Sequence, residues 1–364
     1  MASFDILVLP GDGIGPEVTA EGVRALEAVG ERFEHVFNFS EDIVGGAAID
    51  AHGIAIRDET IEAAKNSDAV LFGAVGGPKW SDPNAPVRPE QGLLRLRLDL
   101  GLWANLRPVK PDPELSAASA LKPEILDGVD MLFIRELTSG AYFGQPQERR
   151  NTDGKREAVD TIYYNEVEVA RVAHLGFRLA RQRKNKVTSV DKANVLESSR
   201  LWREVVAEVR PEYPDVEFEN LIVDAAAMHL LRRPADFDVV ITTNMFGDIL
   251  TDEASMLTGS LGMLPSASVG VLGDDDTGLG MYEPIHGSAP DIAGQSIANP
   301  LGMILCVAEL LRFSCGLEDE AQAIEAAVAS AISDGLRTVD LAAPGAPALK
   351  TREMADAVLE RIGS

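Results

Sequence analysis

The chain has 364 residues, 46% of them hydrophobic, with a formal net charge of −25 and a pI near 4.5. Its length accommodates two or three domain-sized units, and its acidic excess argues against nucleic acid and anionic membrane as partners, since both are met by basic patches. The longest apolar runs fall short of the ~20 residues of a membrane span, and Met1-Ala2-Ser3 opens directly into FDILVLP rather than a targeting segment, so the expected location is cytoplasmic.

FDILVLP reads as a strand and GDGIGPEVTAEGVRALEAVG as the helix after it. Pro16 suits the first turn, and Val18, Gly22, Ala25, Leu26 and Val29 fall on one face of a 3.6-residue period. Further strands are predicted at 68–73, 129–136, 186–190, 219–224, 238–243 and 268–273. Helical patterns cover Tyr164–Arg183, Ser198–Val209 and Ala321–Gly335, and Thr351 is placed to N-cap a terminal helix. Polar and proline-rich stretches at 78–89, 108–123 and 342–348 read as loops. The alternation is that of an α/β protein. Cys306 and Cys315 lie in the apolar segment LGMILCVAELLRFSCG and read as packing residues.

Gly11, Gly13 and Gly15 give G-x-G-x-G followed by proline, and no acidic residue closes a second strand about twenty positions later. The fold is therefore not Rossmann. Locally, this loop serves a tight turn as well as a cofactor contact.

Against the acidic background, arginines mark a candidate anion site. Arg97 and Arg107 bracket a short apolar run, and Arg135 follows a strand. Their planar forks suit a small polycarboxylate. Tyr142 and Lys192, each just beyond a strand, are candidate acid and base. In FDVVITTNMFGDILTDEAS, Asp248 and Asp252 stand four apart on a predicted helix. Like charges so placed repel, unless a hard divalent cation takes both. Asp224 ends the strand ENLIVD and would supply a third carboxylate. EPIHGSAPDIAGQSIANP, residues 283–300, suits a backbone-lined phosphate or adenine site, and equally a surface loop.

Taken in order, LPGDGIGPEV, VGGPKW, ANLRPVK, RELTSGAYFG, VDKANVL, VDAAAMH, NMFGDILTDEAS and EPIHGSAPDIAG resemble the isocitrate/isopropylmalate dehydrogenase family over essentially the full length. The resemblance implies a two-domain α/β fold with a mixed parallel and antiparallel sheet. Residues 1–102 and 258–364 would form a cofactor-binding domain, and 103–257 a second domain with a dimer-forming arm near 140–165. Substrate would lie in the cleft between them. It further implies that Arg97, Arg107 and Arg135 bind the substrate's carboxylates and hydroxyl. Asp224, Asp248 and Asp252 would hold Mg²⁺ or Mn²⁺, with Asp224 also beside the substrate. Lys192 would be the base and Tyr142 the acid. In the family, the lysine and the aspartate matching Asp224 reach the site from a neighbouring subunit, so a homodimer with shared active sites is implied. The cofactor would contact Ile14, Gly77, Glu90, Glu283, His286, Gly287, Ser288, Ala289, Asp291, Ile292 and Asn299.

Two positions separate siblings. NADP-using isocitrate enzymes carry lysine and tyrosine where this chain has Asp291 and Ile292. An aspartate there accepts from ribose hydroxyls and repels a 2′-phosphate, so NAD is expected. At Glu90, Leu93 and Leu94 the leucines lack the serine hydroxyl that isocitrate enzymes offer a third carboxylate, and suit an isopropyl group instead. The implied reaction is NAD-dependent oxidative decarboxylation of 3-isopropylmalate to 4-methyl-2-oxopentanoate, a step of leucine biosynthesis. Siblings acting on D-malate, tartrate or homoisocitrate share the arginines, aspartates, lysine and tyrosine. A non-catalytic subunit should have lost part of that set, and here it is complete. Ser139 and Ala141 depart from the glycine and isoleucine more usual beside the tyrosine, without removing it.

Overall fold

The computed structural model describes residues 1–82, 84–273 and 276–363. In chain order its strands are β1 (Ser3–Gly11), β2 (Val36–Glu41), β3 (Ala69–Ala74), β4 (Ala104–Val109), β5 (Met131–Glu136), β6 (Glu148–Thr152), β7 (Lys155–Val159), β8 (Lys186–Asp191), β9 (Glu217–Ile222), β10 (Val239–Thr242), β11 (Ala267–Val269) and β12 (Gly280–Tyr282). The chain divides into two compact units. One comprises residues 1–102, 111–120 and 258–364, the other residues 103–110 and 121–257.

In the first unit the strand order is β2-β1-β3-β12-β11, parallel except for the last pair. Leu7, Leu9, Val70, Phe72 and Met281 form part of its core. The helix Gly15–Phe33 starts with proline in its first turn and buries Val18, Gly22, Ala25, Leu26 and Val29, the face set by the sequence period. The helix Leu301–Phe313 is buried on nearly every side, which explains why LGMILCVAELLRF shows no clean amphipathic stripe. The predicted strand over 268–273 is shorter than expected: β11 ends at Val269, and Val271 is exposed. Thr351 does not cap the terminal helix Thr351–Ile362. It is the first residue inside, and its hydroxyl donates to the Ala298 carbonyl. Glu353 accepts from the Lys350 amide instead.

In the second unit the order is β4-β5-β10-β8-β9, with β4 antiparallel to β5 and the remainder parallel. Ile134, Phe177, Trp202 and Ile241 lie in its core. The β6–β7 hairpin is a separate, almost wholly exposed ribbon, turning at Asp153 and Gly154, both at positive φ. Among the described residues no helix is long and apolar enough to cross a membrane.

Candidate active site

In the second unit the site grows from strand register. Asn105 faces Arg135 across the β4–β5 pair, and Arg107 faces Phe133 two residues along. Side chains alternate with period two, so Asn105, Arg107 and Arg135 share one face of the sheet. Asn105 accepts from Arg107 Nε at 2.6 Å, and Thr251 accepts from Arg107 Nη1 at 2.5 Å. Both guanidiniums are buried. They meet the helix Asn244–Ser255, which starts after β10 because Thr243 is extended and the apolar run gives way to polar residues. Asp248 lies toward both arginines: it accepts from Arg135 Nη1, lies 3.9 Å from Arg107 Nη2, and accepts from the Tyr142 hydroxyl at 2.7 Å. Asp252, one turn on, is 3.8 Å from Arg107 Nη1. Burial, together with the neighbouring Asp248 charge, raises the Asp252 carboxyl despite Arg107 and Arg135. Burial first, and then Asp248, push the Tyr142 phenol up to about 12. Tyr142 therefore stays protonated near neutrality and is a proton donor.

Lys192 follows β8, and Asp224, expected to end a strand, stands instead in the first turn of the helix Val223–Arg232, because β9 stops at Ile222. Asp191 faces Ile222 in the β8–β9 register, so the residues that follow each strand meet, and Lys192 Nζ donates to Asp224. That ion pair holds the Asp224 carboxyl below its usual range. Asp191 is buried under a two-point contact from Arg203, with both bonds at 2.8 Å, which fixes the turn that presents Lys192. Among the described residues no three His, Cys, Asp or Glu side chains stand together as a metal would require. A single chain thus gathers Arg107, Arg135, Tyr142, Asp248 and Asp252 in one group and Lys192 with Asp224 in another. Asp248 and Asp252 offer hard oxygen donors and no soft ligand, a fit to Mg²⁺ or Mn²⁺.

In the first unit, Arg97 is buried and donates to Glu283 at 2.6 Å, while its Nε has no partner. A buried donor so orphaned is what an anionic ligand satisfies. Leu93 packs on the core cluster, and Leu94 is half-buried. The glycine loop is tied to the HGSAP segment: Ile14 donates to the Ser288 carbonyl at 2.8 Å, and a Cβ on Gly13 (φ +61°) would sit 2.0 Å from that same oxygen. Glu90 brings a carboxylate oxygen beside Gly76, next to Gly77. His286 Nε2 is buried and unpartnered, Gly287 has open space about its Cα, and Asp291 is exposed. Burial lowers the His286 imidazole, so its neutral form persists. Ala289 (φ +37°) and Ile292 shape the following turn, where the Ile292 amide donates to the Ala289 carbonyl. These groups suit a dinucleotide that accepts hydrogen bonds from backbone amides and donates its ribose hydroxyls to a carboxylate. The Asn299 amide donates to Asp340 at 3.0 Å and accepts from the Leu301 amide at 3.0 Å.

One residue in this loop escaped the sequence reading. Asp12 is buried and accepts three backbone hydrogen bonds, from Gly46 and Gly76 at 2.8 Å and from Ala47 at 2.9 Å. A lone carboxylate flanked by glycines in a tight turn was the available signal.

Residues 5–358 match the profile described as Isocitrate/isopropylmalate dehydrogenase. A 3-isopropylmalate dehydrogenase of Anaeromyxobacter dehalogenans is 60% identical over 98% of this chain and 99% of its own length. One from Bacillus subtilis is 58% identical over 93% and 91%. Among solved structures, an isocitrate dehydrogenase from Methylococcus capsulatus aligns with a TM-score of 0.87 at 33% identity, covering 99% of this chain and 100% of that one. The fold and these relatives define the class as α/β oxidoreductases. The chain belongs to the isocitrate/isopropylmalate dehydrogenase family.

Proposed function

We propose that the chain catalyses the NAD- and divalent-cation-dependent oxidative decarboxylation of 3-isopropylmalate. The observation that carries this reading is the concentration of buried arginine in so acidic a chain. Arg107 and Arg135 stand on one sheet face beside Asp248, and Arg97 has its Nε orphaned. Those guanidiniums bind and orient the substrate's carboxylates. Tyr142, kept protonated by burial and Asp248, returns a proton to carbon after CO₂ leaves. Lys192 takes the hydroxyl proton. The Ile14, Glu90, His286–Ala289 and Asp291–Ile292 segments would hold NAD, which would accept the hydrogen on the hydroxyl-bearing carbon with its two electrons. Asp248 and Asp252, with Asp224, would hold the divalent cation, which would lower the cost of negative charge on the substrate's oxygens. The half-buried Leu94 offers the isopropyl group an apolar contact.

Assembly as a homodimer completes the account. Within one chain, Lys192 and Asp224 form a group of their own, and we infer that they serve the Tyr142–Asp248–Asp252 group of the partner. The helix Val223–Arg232 packs against Asn244–Ser255, and both leave apolar side chains uncovered, Met228 at 62% and Ile249 at 61% exposure. Such a patch is what a second copy would cover. The test is an assay of purified enzyme with 3-isopropylmalate, NAD and Mg²⁺. Equal amounts of NADH and CO₂, lost on chelation and regained with Mg²⁺, support the reading. Formation of neither product removes it.

A further inference from the structure

Asn244 has no role in the chemistry above, yet its side chain ties Arg135 to the segment that leads to Tyr142. It is fully buried at the start of the helix Asn244–Ser255. Its Oδ1 accepts from Arg135 Nε at 3.1 Å and from Nη2 at 2.8 Å. Its Nδ2 donates to the Ser139 carbonyl at 3.0 Å, and its backbone amide donates to the Tyr164 hydroxyl at 2.9 Å. Donors on one side and a carbonyl on the other fix the amide's orientation. The stem of Arg135 crosses the same helix at Gly247, where a Cβ would stand 2.6 Å from Arg135 Cγ. Only glycine leaves room for that crossing.

The Nε–Nη2 edge of an arginine is the edge that ordinarily grips a carboxylate. Here a neutral amide holds it. Asp248 already lies on Nη1 of the same guanidinium. A second carboxylate at position 244 would set two negative charges against the one guanidinium and so oppose an anionic substrate, and it would lose the donor that Nδ2 gives the Ser139 carbonyl. Ser139 lies three residues before Tyr142, so the same amide also anchors the segment that carries the proton donor.

We propose that Asn244 is a positioning residue: it fixes Arg135 by its Nε–Nη2 edge without adding a second negative charge to the one Asp248 brings, and so leaves the guanidinium able to attract the substrate's carboxylate. The proposal rests on the reading that Arg135 binds that carboxylate. The test compares Asn244→Asp and Asn244→Ala in the full-length enzyme, measuring KM and kcat for 3-isopropylmalate, KM for NAD and the melting temperature. Asn244→Asp keeps both acceptor contacts to Arg135, yet its KM for 3-isopropylmalate is expected to rise about tenfold or more, beyond that of Asn244→Ala, with KM for NAD little changed. Both variants lose the Nδ2 bond to the Ser139 carbonyl, so a merely structural role lowers kcat and melting temperature while the two substrate KM values stay alike, and that result would overturn the proposal. Should Asn244→Asp not fold, a double-mutant cycle of Asn244→Ala with Arg135→Lys decides, since lysine lacks the held edge. Asn244→Ala should then add little to the KM of Arg135→Lys, whereas additive penalties contradict the proposal. An Arg135→Lys enzyme with an unchanged substrate KM would instead overturn the assignment of Arg135 itself.

Discussion

Replacing Asp12 by asparagine exchanges one acceptor oxygen for a donor in a carboxylate that takes three backbone hydrogen bonds. The amide will turn its nitrogen toward Ala47, the less costly choice, because the other oxygen serves both Gly46 and Gly76. One backbone N–H is then stranded against a donor, at about 1–3 kcal/mol, and the two remaining bonds lose their charge assistance. The sum is about 2–4 kcal/mol, against a total stability on the order of 5–15 kcal/mol. For a chain of 364 residues the melting temperature should fall by about 3–5 °C. The three segments joined here include the glycine loop and Gly76, next to Gly77, so KM for NAD should rise several-fold while that for 3-isopropylmalate holds. Differential scanning calorimetry and initial rates at saturating 3-isopropylmalate read both effects. A melting temperature within 1 °C of the parent, with an unchanged KM for NAD, would refute the assignment of Asp12 as the tie of this loop.

Asp291→Lys combined with Ile292→Tyr should shift the ratio of kcat/KM from NAD toward NADP, because a 2′-phosphate then meets a cation instead of a carboxylate; an unmoved ratio would remove Asp291 from the adenosine site. The Tyr142 phenol of the metal-free enzyme, raised to about 12, should ionise well above an ordinary tyrosine. In the 295 nm difference titration of parent minus Tyr142→Phe, no tyrosinate signal should appear below about pH 11, and a step near pH 10 would contradict the placement of Tyr142 against Asp248. The Asp130 carboxyl is half-buried, and burial works to raise it, but Arg183, Lys110 and Lys184 outweigh burial and hold it low. Its folded-state pKa lies below the unfolded one, so its contribution is present above the unfolded value and lost as pH falls through the folded value. Asp130→Asn should therefore flatten the fall in urea stability between about pH 5 and 3; an unchanged acid slope would show the pair to be inert.

Much of the fold was legible because burial wrote periodicity into the sequence. The Gly15–Phe33 helix shows it, as does the β10-to-helix passage that carries Asp248 and Asp252. β4 was not read as a strand, since Asn105, Arg107 and Pro108 interrupt its apolar character for the sake of the site. The β6–β7 ribbon has no apolar alternation, being exposed on both faces, though Asp153-Gly154 is a strong hairpin signal. Thr351 misled because a hydroxyl at a helix start suggests a cap, while a distant carbonyl, that of Ala298, claimed it. The charged site residues were visible as motifs. The residues that tie the surrounding segments together, Asp12 and Asn244, were not, because their roles lie in bonds to segments 34 to 109 positions away that no local pattern encodes.

The central claim is the substrate. NADH formation at 340 nm with Mg²⁺, offering 3-isopropylmalate, D-malate, isocitrate and tartrate in parallel, tests it most directly. The account predicts the highest kcat/KM for 3-isopropylmalate, by about tenfold or more, or ~1.4 kcal/mol of transition-state discrimination. A preference for D-malate or tartrate would contradict the apolar contact assigned to Leu94, and silence with all four would contradict the catalytic reading altogether.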